Sequence, residues 1–293
     1  MPLGLAKDII AKGSAAAPAR TPMTDRGYWT STGTTSSGAN AATVICDRGT
    51  TYSNVGNITV SYWFRGTTAD LDSDEADILV ARSNDNFAIH LLMFKGAGTN
   101  IKYMTQHRPS ATHTNQTLQA ISNFDTLYLD GNWHHVVGTL RSNTTTYIRQ
   151  VYLDGVQLVN SSESGKTAFT AATINRYWWC GSGPDNTPLS AYTSNPDAGG
   201  HKLDIANLAV WHSHIDLPTN ITKFWDNGGG VDLGTDGTAS GLTQAQLIMR
   251  SNVAGNMVGA SGSIANGGSL TWTIYGSREG TGNIQVFTSG GPT

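Results

Sequence analysis

The sequence predicts an all-β fold, and three observations lead to this prediction. Only 13% of the 293 residues are charged while glycine contributes 34, a composition that favours turns and strands over solvated amphipathic helices. From residue 41 onward, short segments alternate apolar and polar side chains, which is the period of a half-buried strand. Within Val151–Leu158, the dipeptide Asp154-Gly155 separates two such runs and indicates a hairpin with a type I′ turn.

Residues 1–40 are predicted to form an extended N-terminal arm with a short helical start. The first apolar residues suffice for two or three helical turns, which are too few to be stable without a docking partner. From Ser14 to Asn40, alanine, proline, serine, threonine and glycine predominate, so we expect an extended segment. The large apolar residues that we expect to attach this arm to a partner are Leu3, Leu5, Ile9, Ile10, Tyr28 and Trp29.

The folded domain is predicted to begin near Ala41 and to continue to residue 228. In the run Ile58–Phe64 the aliphatic and aromatic residues at even-numbered positions share one face of a strand. Further strands are predicted at Ile78–Arg82, Phe87–Phe94, Ile101–Gln106, Trp133–Arg141, Tyr147–Leu153, Val156–Val159, Ile174–Cys180 and Leu203–Trp211. A short helix should follow Pro218, with Thr219 as its N-cap. Its inward-facing residues should be Ile221, Phe224 and Trp225, and Gly228 should end it.

The charge and hydropathy of the chain argue against nucleic acid and membrane as partners. The net charge is −3 and no Lys/Arg cluster offsets it locally, so the chain lacks a footprint for binding polyanions. Apolar runs stay shorter than the roughly 18 residues that span a bilayer, and the first residues lack the layout of a signal peptide. Without secretory processing, Cys46 and Cys180 are favoured as two buried free thiols, although pairing is left open.

Two neighbouring segments resemble a known family. Residues 130–140 read Asp-Gly-Asn-Trp-His-His-Val-Val-Gly-Thr-Leu, and residues 151–158 read Val-Tyr-Leu-Asp-Gly-Val-Gln-Leu. Together they resemble the central hairpins of laminin-G-like jelly rolls, in which a G-x-W-H-H-V strand precedes a Y-V-D-G-x-x turn. Residues 58–64 and 202–211 are similar to an earlier and a later strand of that family. The resemblance implies a two-sheet antiparallel jelly-roll sandwich, concanavalin A-like, over residues 41–228.

The Gly-rich C-terminal segment, residues 229–293, carries a second resemblance. Residues 223–234 are similar to the Y-N-x-G-x-x-x-D-L closing segment of jelly rolls in tailed-bacteriophage virion proteins. We expect this segment to complete the sandwich with weaker strands at Leu247–Arg250, Leu270–Tyr275 and Ile284–Phe287.

The arm and the second resemblance together imply a non-enzymatic protein on the surface of a phage virion. It would be a capsid decoration or head-surface protein, attached through its arm to other virion proteins, with the major capsid protein as the expected partner. Attachment at a capsid symmetry axis would make a homo-oligomer natural. The alternative is a glycan-binding adhesin or tail-associated receptor-binding module that binds a cell-surface glycan. A glycanase is the third interpretation.

No catalytic residues are predicted, because each candidate lacks a required partner. Residues 74–80 resemble the E-x-D-x-x-E strand of glycanases on this fold, with Glu75 and Asp77 in the first two places. Val80 stands where the second glutamate would be, so the two carboxyls about 5 Å apart that a retaining mechanism needs are not both available.

The cofactor prediction is that none is required, with Ca²⁺ as the one candidate ion. Asp70, Asp72 and Asp74 place carboxylates at alternate positions that could converge on Ca²⁺, although a solvated loop is favoured. The resemblance also leaves open a rim site that uses Asp204 or the loop at Asp185 and Asn186.

Histidines and aromatic residues are the remaining candidates. His134 and His135 are adjacent on a strand, point to opposite faces and are therefore interpreted as framework. The pair His212 and His214 is interpreted as a polar strand end. The polar loop 181–200 is long for a sandwich turn, so a ligand is expected there. The candidate ligand-binding residues are Trp178, Asp185, Asn186 and Tyr192.

Overall fold

The structure is a computed structural model of the 293-residue chain. It describes residues 23–32, 44–53, 56–71, 75–82, 88–95, 100–102, 105–107, 118–120, 124–142, 144–165, 173–179, 201–257, 263–275 and 284–293. Within these ranges the strands are β1 (Tyr28–Ser31), β2 (Val44–Ser53), β3 (Asn57–Arg65), β4 (Glu75–Arg82), β5 (Ala88–Lys95), β6 (Asn100–Lys102), β7 (Thr105–His107), β8 (Leu118–Ala120), β9 (His134–Arg141), β10 (Tyr147–Leu153), β11 (Val156–Glu163), β12 (Thr173–Trp179), β13 (Asp204–Trp211), β14 (Trp225–Asp226), β15 (Gly229–Gly230), β16 (Leu247–Ser251), β17 (Gly255–Met257), β18 (Ile264–Asn266), β19 (Thr273–Tyr275) and β20 (Ile284–Phe287).

Helical structure is limited to short pieces in the described part of the chain. The α-helices are α1 (Phe124–Tyr128) and α2 (Leu217–Asn220), and 3₁₀ turns cover Thr68–Asp70 and Ile221–Lys223. None of these helices has the length and apolarity needed to cross a bilayer.

Two antiparallel sheets form a sandwich, which confirms the predicted fold class. The first sheet has the order β11-β10-β9-β3-β13-β1-β20-β17, with β16 also pairing with β13 and β18 with β16. The second sheet has the order β19-β2-β12-β4-β5-β6-β8, with β7 also pairing with β5. The core lies between the sheets, where Ile58, Val60, Tyr62 and Phe64 of β3 are fully buried, as their alternation predicts.

The outer face of β3 is buried as well, because a later segment covers it. Thr59, Ser61 and Trp63 are each less than one-tenth exposed. Residues 212–246, which include α2 and the β14–β15 hairpin, pack there, and Gly230 lies so close to Trp63 that a Cβ would be 2.1 Å from its ring. Residues 212–246 therefore cover the outer face of the first sheet around Thr59, Ser61 and Trp63.

The predicted hairpin at Asp154-Gly155 is confirmed. Asp154 has φ of 48° and Gly155 has φ of 74°, the two positive values that a type I′ turn requires, and Leu153 pairs with Val156 across it. A Cβ on Gly155 would lie 2.3 Å from Cδ1 of Trp225. Glycine is thus needed at this position both for its backbone conformation and for the close approach of the indole.

The N-terminal boundary differs from the prediction. Residues Tyr28–Ser31 form a strand between β13 and β20, and Trp29 is 1% exposed in the core instead of belonging to an extended arm. An isolated four-residue strand is too short to stand out from a Ser/Thr/Gly-rich background, and its pairing with two neighbours and the burial of Trp29 stabilise it. Tyr28 and Trp29 are therefore residues of the sandwich. Leu3, Leu5, Ile9 and Ile10 lie outside the described residues.

Most predicted elements after residue 41 are present with shifted ends. The predicted strand Ile101–Gln106 is divided into β6 and β7, which pair with different parts of β5. The helix begins at Leu217, with Asp216 at the N-cap and Pro218 in the first turn, where proline is tolerated. Thr219 instead donates its hydroxyl hydrogen bond to Asp216.

Candidate functional site

Sheet pairing brings together five residues from distant parts of the sequence on the outer face of the first sheet. Tyr28 of β1 pairs with Phe287 of β20, and Asp204 of β13 pairs with Arg65 of β3. Trp133 immediately precedes β9, whose first residue pairs next to Arg65. We call Tyr28, Arg65, Trp133, Asp204 and Phe287 the aromatic band. All five are half-buried, so the band is partly accessible to solvent.

Two rings of the aromatic band, Tyr28 and Trp133, contact the Arg65 guanidinium, and the third, Phe287, stacks on Tyr28. Tyr28 stacks on Phe287 with ring centroids 4.6 Å apart, and it meets Trp133 edge to face at 5.6 Å. The guanidinium carbon of Arg65 lies 5.1 Å from the Tyr28 centroid and 4.7 Å from the Trp133 centroid. These cation–π contacts hold the ring pair and the charged group in one arrangement.

A charged pair completes the band. Arg65 donates from Nε and Nη2 to Oδ2 of Asp204, over 2.8 and 2.6 Å, and the two side chains are 30% and 20% exposed. Burial raises the pKa of the Asp204 carboxyl above its usual range, while the hydrogen bonds from Arg65 oppose that rise. The side chain of Thr30 also hydrogen-bonds to the Asp204 carboxylate, and the charged pair lies beside the apolar rings.

The C-terminal residues pass beside the same band. Trp133 donates its indole N–H to the carbonyl of Gly290 over 3.1 Å, and Gly291 donates its N–H to the carbonyl of Arg26 over 2.9 Å. A Cβ on Gly291 would lie 2.5 Å from that carbonyl oxygen, so only glycine allows this approach. The position of the indole is thereby set from its polar edge.

His134, next to Trp133, lies between two aspartates. Its Nδ1 is 2.6 Å from Oδ2 of Asp154, and its Nε2 is 3.0 Å from Oδ1 of Asp130. Burial lowers the pKa of His134, but the hydrogen bonds and charges of the two aspartates outweigh it and raise the pKa above its ordinary value. The other carboxylate oxygen of Asp154 accepts the backbone N–H of His135.

His135 faces the other side of the strand, as the sequence predicts. The Nε2 of His135 contacts the hydroxyl of Ser61 over 2.8 Å. Its Nδ1 has no hydrogen-bond partner among the described residues. Burial lowers the pKa of the His135 imidazole to about 4. It lines a cavity of about 20 Å³ beside Met23 and Trp63, with room for roughly one water molecule. This cavity is too small for a sugar ring, so the aromatic band is the better candidate for a ligand.

Several predicted site residues fall outside the part of the chain that the structure describes. These residues are Asp72, Asp74, Asp185, Asn186 and Tyr192. Trp178 lies in β12, paired with Ile45 and Val80, but its side chain is not described. Asp70 is described, and its carboxylate accepts the N–H and hydroxyl of Thr67 as a cap of the 3₁₀ turn.

The described acidic, histidine and cysteine side chains are the candidates for a metal site or a catalytic pair. Within those ranges, no three His, Cys, Asp or Glu side chains are grouped closely enough to hold a metal ion. Glu75 and Asp77 lie in β4, where Val80 occupies the place of the second glutamate, but their side chains are not described. Cys46 is a buried free thiol, in line with the favoured interpretation.

The aromatic band was missed by sequence reasoning. The sequence predicts Tyr28 to lie in the arm, Trp133 to lie in a strand and Asp204 to be a candidate Ca²⁺ ligand in a strand, and it indicates no functional role for Arg65 or Phe287. The signal available was the alternation of β3, which places Arg65 on the outer face with Trp63. The pairing of β1 with β20, which brings in Tyr28 and Phe287, has no local sequence signature.

Several solved structures are similar to the chain at low sequence identity. A heptameric pentraxin from Limulus polyphemus shares 10% identity at a TM-score of 0.48, with 87% of this chain and 97% of the pentraxin covered. The binding domain of botulinum neurotoxin DC, solved with rat synaptotagmin II, shares 11% identity at a TM-score of 0.44, with 85% and 55% covered. Alginate lyase Aly36B shares 10% identity at a TM-score of 0.41, with 62% and 79% covered.

Sequence comparison is more decisive than these distant structural likenesses. No curated protein matches the chain. A laminin G-type family model matches residues 35–195, which is more than half of the chain and includes the Trp133-His134-His135 strand and the Asp154-Gly155 hairpin. The chain therefore belongs to the concanavalin A-like lectin/glucanases superfamily.

Proposed function

We propose that the protein is a non-enzymatic glycan-binding module whose ligand site is the aromatic band. The observation that carries this proposal is a set of half-exposed rings, Tyr28, Trp133 and Phe287, arranged around the Arg65–Asp204 pair. Membership of a superfamily that includes lectins agrees with it. Residues 212–246 cover the outer face around β3, and the band lies beside this cover, with Trp225 as a further half-buried ring.

The chemistry of the band suits a sugar ring. The C–H face of a pyranose packs on an aromatic ring, and its hydroxyl groups exchange hydrogen bonds with charged side chains. Arg65 offers N–H donors and Asp204 an acceptor oxygen within one paired unit. Because the ion pair is already formed, a ligand would meet a site that needs little reorganisation.

A panel of methyl glycosides of glucose, galactose, mannose, N-acetylglucosamine and glucuronic acid tests this proposal by titration calorimetry, with and without Ca²⁺. We expect binding to at least one glycoside, and a loss of about tenfold or more in affinity for Trp133→Ala, equivalent to at least ~1.4 kcal/mol. The matched control is Tyr275→Ala, which removes a half-buried ring from the other sheet. Absence of binding at millimolar concentrations, or an equal loss in the control, would refute the proposal.

We further propose that the module is displayed on a phage virion through the segment that precedes residue 23. The supporting observation is that residues 23–27, which we call the strap, form polar contacts with the domain. Thr24 donates from its N–H and its hydroxyl to Asp232, over 3.1 and 2.7 Å. Asp25 lies 3.5 Å from Arg250 and its carbonyl accepts from Asn207 over 3.0 Å. Because residues 23–27 are bound to the sandwich, a force on the segment that precedes them would be transmitted to the folded domain.

Deletion of residues 1–22 tests display. We expect the truncated protein to keep its far-UV circular dichroism and glycoside affinity and to lose co-sedimentation with phage capsids assembled from the major capsid protein. The matched control is Asp226→Ala, a change at a half-buried acid outside the strap, and this variant should co-sediment like the full chain. Unchanged co-sedimentation after the deletion would contradict display through this segment.

A further inference from the structure

The imidazole of His134 is held by carboxylates on both of its nitrogens. Asp154 comes from the turn between β10 and β11, and Asp130 comes from the loop between α1 and β9. The two acids therefore belong to separate elements that only the tertiary fold brings together. His134 itself is 9% exposed, whereas the side chains of Asp130 and Asp154 are 34% and 24% exposed.

This geometry has a requirement for protons. An ionised carboxylate only accepts hydrogen bonds, and a neutral imidazole has a single N–H to donate. Both contacts are satisfied at once only when the ring carries two protons and a positive charge. The raised pKa of His134 and the pKa of Asp130, lowered to about 2 against the effect of its partial burial, agree with an imidazolium between two carboxylates.

The other described side chains that face His134 are uncharged. Asp130 and Asp154 are therefore its charged neighbours in the described structure. The Tyr128 ring meets the imidazole edge to face at 5.4 Å, and burial raises the pKa of its phenol, so it stays neutral across the relevant range. The Phe64 ring lies at 5.8 Å and is apolar. His135, next in the chain, is neutral because burial lowers its pKa.

The loop that carries Asp130 also carries Trp133. Asn132 donates its N–H and its side-chain amide to Asp130, over 2.8 and 2.7 Å, and Gly131 donates its N–H to Gly66 over 3.0 Å. Gly66 is next to Arg65, so the loop is connected to the aromatic band both through this hydrogen bond and through Trp133. Loss of the His134–Asp130 contact would release the loop from the Asp154 turn and allow the indole to move relative to the guanidinium.

We propose that His134, as an imidazolium between Asp130 and Asp154, is a positioning residue for Trp133 that makes the aromatic band pH-sensitive. Its link to glycan affinity rests on the proposed function, whereas its effect on Trp133 does not. As the pH rises, the ring loses one proton to solvent, one carboxylate loses the imidazole N–H while it keeps its backbone donor, and the loop loosens. Glycan affinity should then fall on the alkaline side, opposite to a site inhibited by acid.

Nuclear magnetic resonance of the full chain tests the proton requirement directly. We expect the His134 ring nitrogens, followed from pH 5 to 9, to titrate above the ordinary histidine value. The indole N–H resonance of Trp133, identified by its loss in Trp133→Phe, should shift with the same midpoint. In Asp130→Asn both midpoints should move to lower pH together, whereas Asp125→Asn, which changes an acid of α1 outside the contact, should leave both unchanged.

Calorimetry with the methyl glycoside that binds most tightly in the panel completes the test. Affinity should weaken about fivefold or more across the His134 titration, and the midpoint should move to lower pH in Asp130→Asn. A titration midpoint of His134 at or below the ordinary histidine value would overturn the inference. So would an indole N–H resonance of Trp133 that does not shift with the His134 titration. If no glycoside binds but Trp133 still follows His134, the positioning role is supported and the glycan function is the part refuted.

Discussion

Two neighbouring histidines show how residue-level surroundings decide charge. His134 lies between two carboxylates, which raise its pKa, whereas His135 is buried beside Ser61 and has its pKa lowered to about 4. Their side chains point to opposite faces of β9, so the same dipeptide meets a polar rim on one side and a covered sheet on the other. One histidine is suited to hold a loop and the other to fill a core.

At the same scale, the turn glycines make a controlled prediction. Gly155→Ala should destabilise the fold by about 1–2 kcal/mol for the positive φ and about 1–3 kcal/mol more for the clash with Trp225. Gly165→Ala is the matched control, because its φ is +73° and nothing lies within 4 Å of the added Cβ. Urea unfolding of both variants measures the difference, and equal losses would contradict the close Gly155–Trp225 approach.

At the scale of elements, strand β1 is integral to the first sheet. It pairs with β13 on one side and with β20 on the other, so it joins β13 to the C-terminal strand. Trp29 is its core residue, whereas Tyr28 belongs to the aromatic band on the outer face. A single short strand therefore contributes both to stability and to the candidate site.

This arrangement predicts unequal effects for the two neighbouring aromatic residues. Trp29→Ala should lower the free energy of unfolding by about 3–5 kcal/mol, because it empties a buried indole site. Tyr28→Ala should cost less, because its side chain is half-buried. Chemical unfolding checks both variants, and two small, similar losses would indicate that residues 28–31 are not held in the sheet.

At the scale of the whole molecule, buried histidines make the fold sensitive to acid. Desolvation by burial lowers the pKa of His135 to about 4 and the pKa of His201 and His212 to about 3, against an ordinary value of 6.5. Below pH 6.5 the unfolded chain binds protons that the folded protein does not, so stability falls as the pH falls. His134 acts in the opposite direction, since its contribution is complete below pH 6.5 and is lost as the pH rises through its raised pKa.

The expected outcome is a stability maximum near neutral pH with a loss toward pH 4. Urea unfolding at pH 7.5, 6.0 and 4.5 measures this directly. His135→Asn, which removes one of the buried titrating groups, should flatten the acid side of the curve even if it lowers the stability at pH 7.5. A stability that stays constant from pH 7.5 to 4.5 would show that these rings are not buried in neutral form.

Much of the sandwich could be predicted because its evidence is local. The alternation in β3 and the Asp154-Gly155 turn depend on neighbouring residues only, so the pattern of the chain reveals them. Strand β1 could not be predicted, because a run of four residues is too short to be recognised within a Ser/Thr/Gly-rich segment, although Tyr, Trp and Thr favour strands. The covered outer face of β3 also escaped prediction, since the cover comes from residues 212–246.

The sequence by itself determined the all-β class, the hairpin, the strand of Trp133 and the opposite orientation of His134 and His135. These features follow from backbone conformation and side-chain periodicity, which act over a few residues. Only the tertiary structure decided that Tyr28, Arg65, Trp133, Asp204 and Phe287 form one site and that His134 lies between Asp130 and Asp154. The physical reason is that strand order and register, set by packing of the whole sandwich, bring residues far apart in the chain to one place.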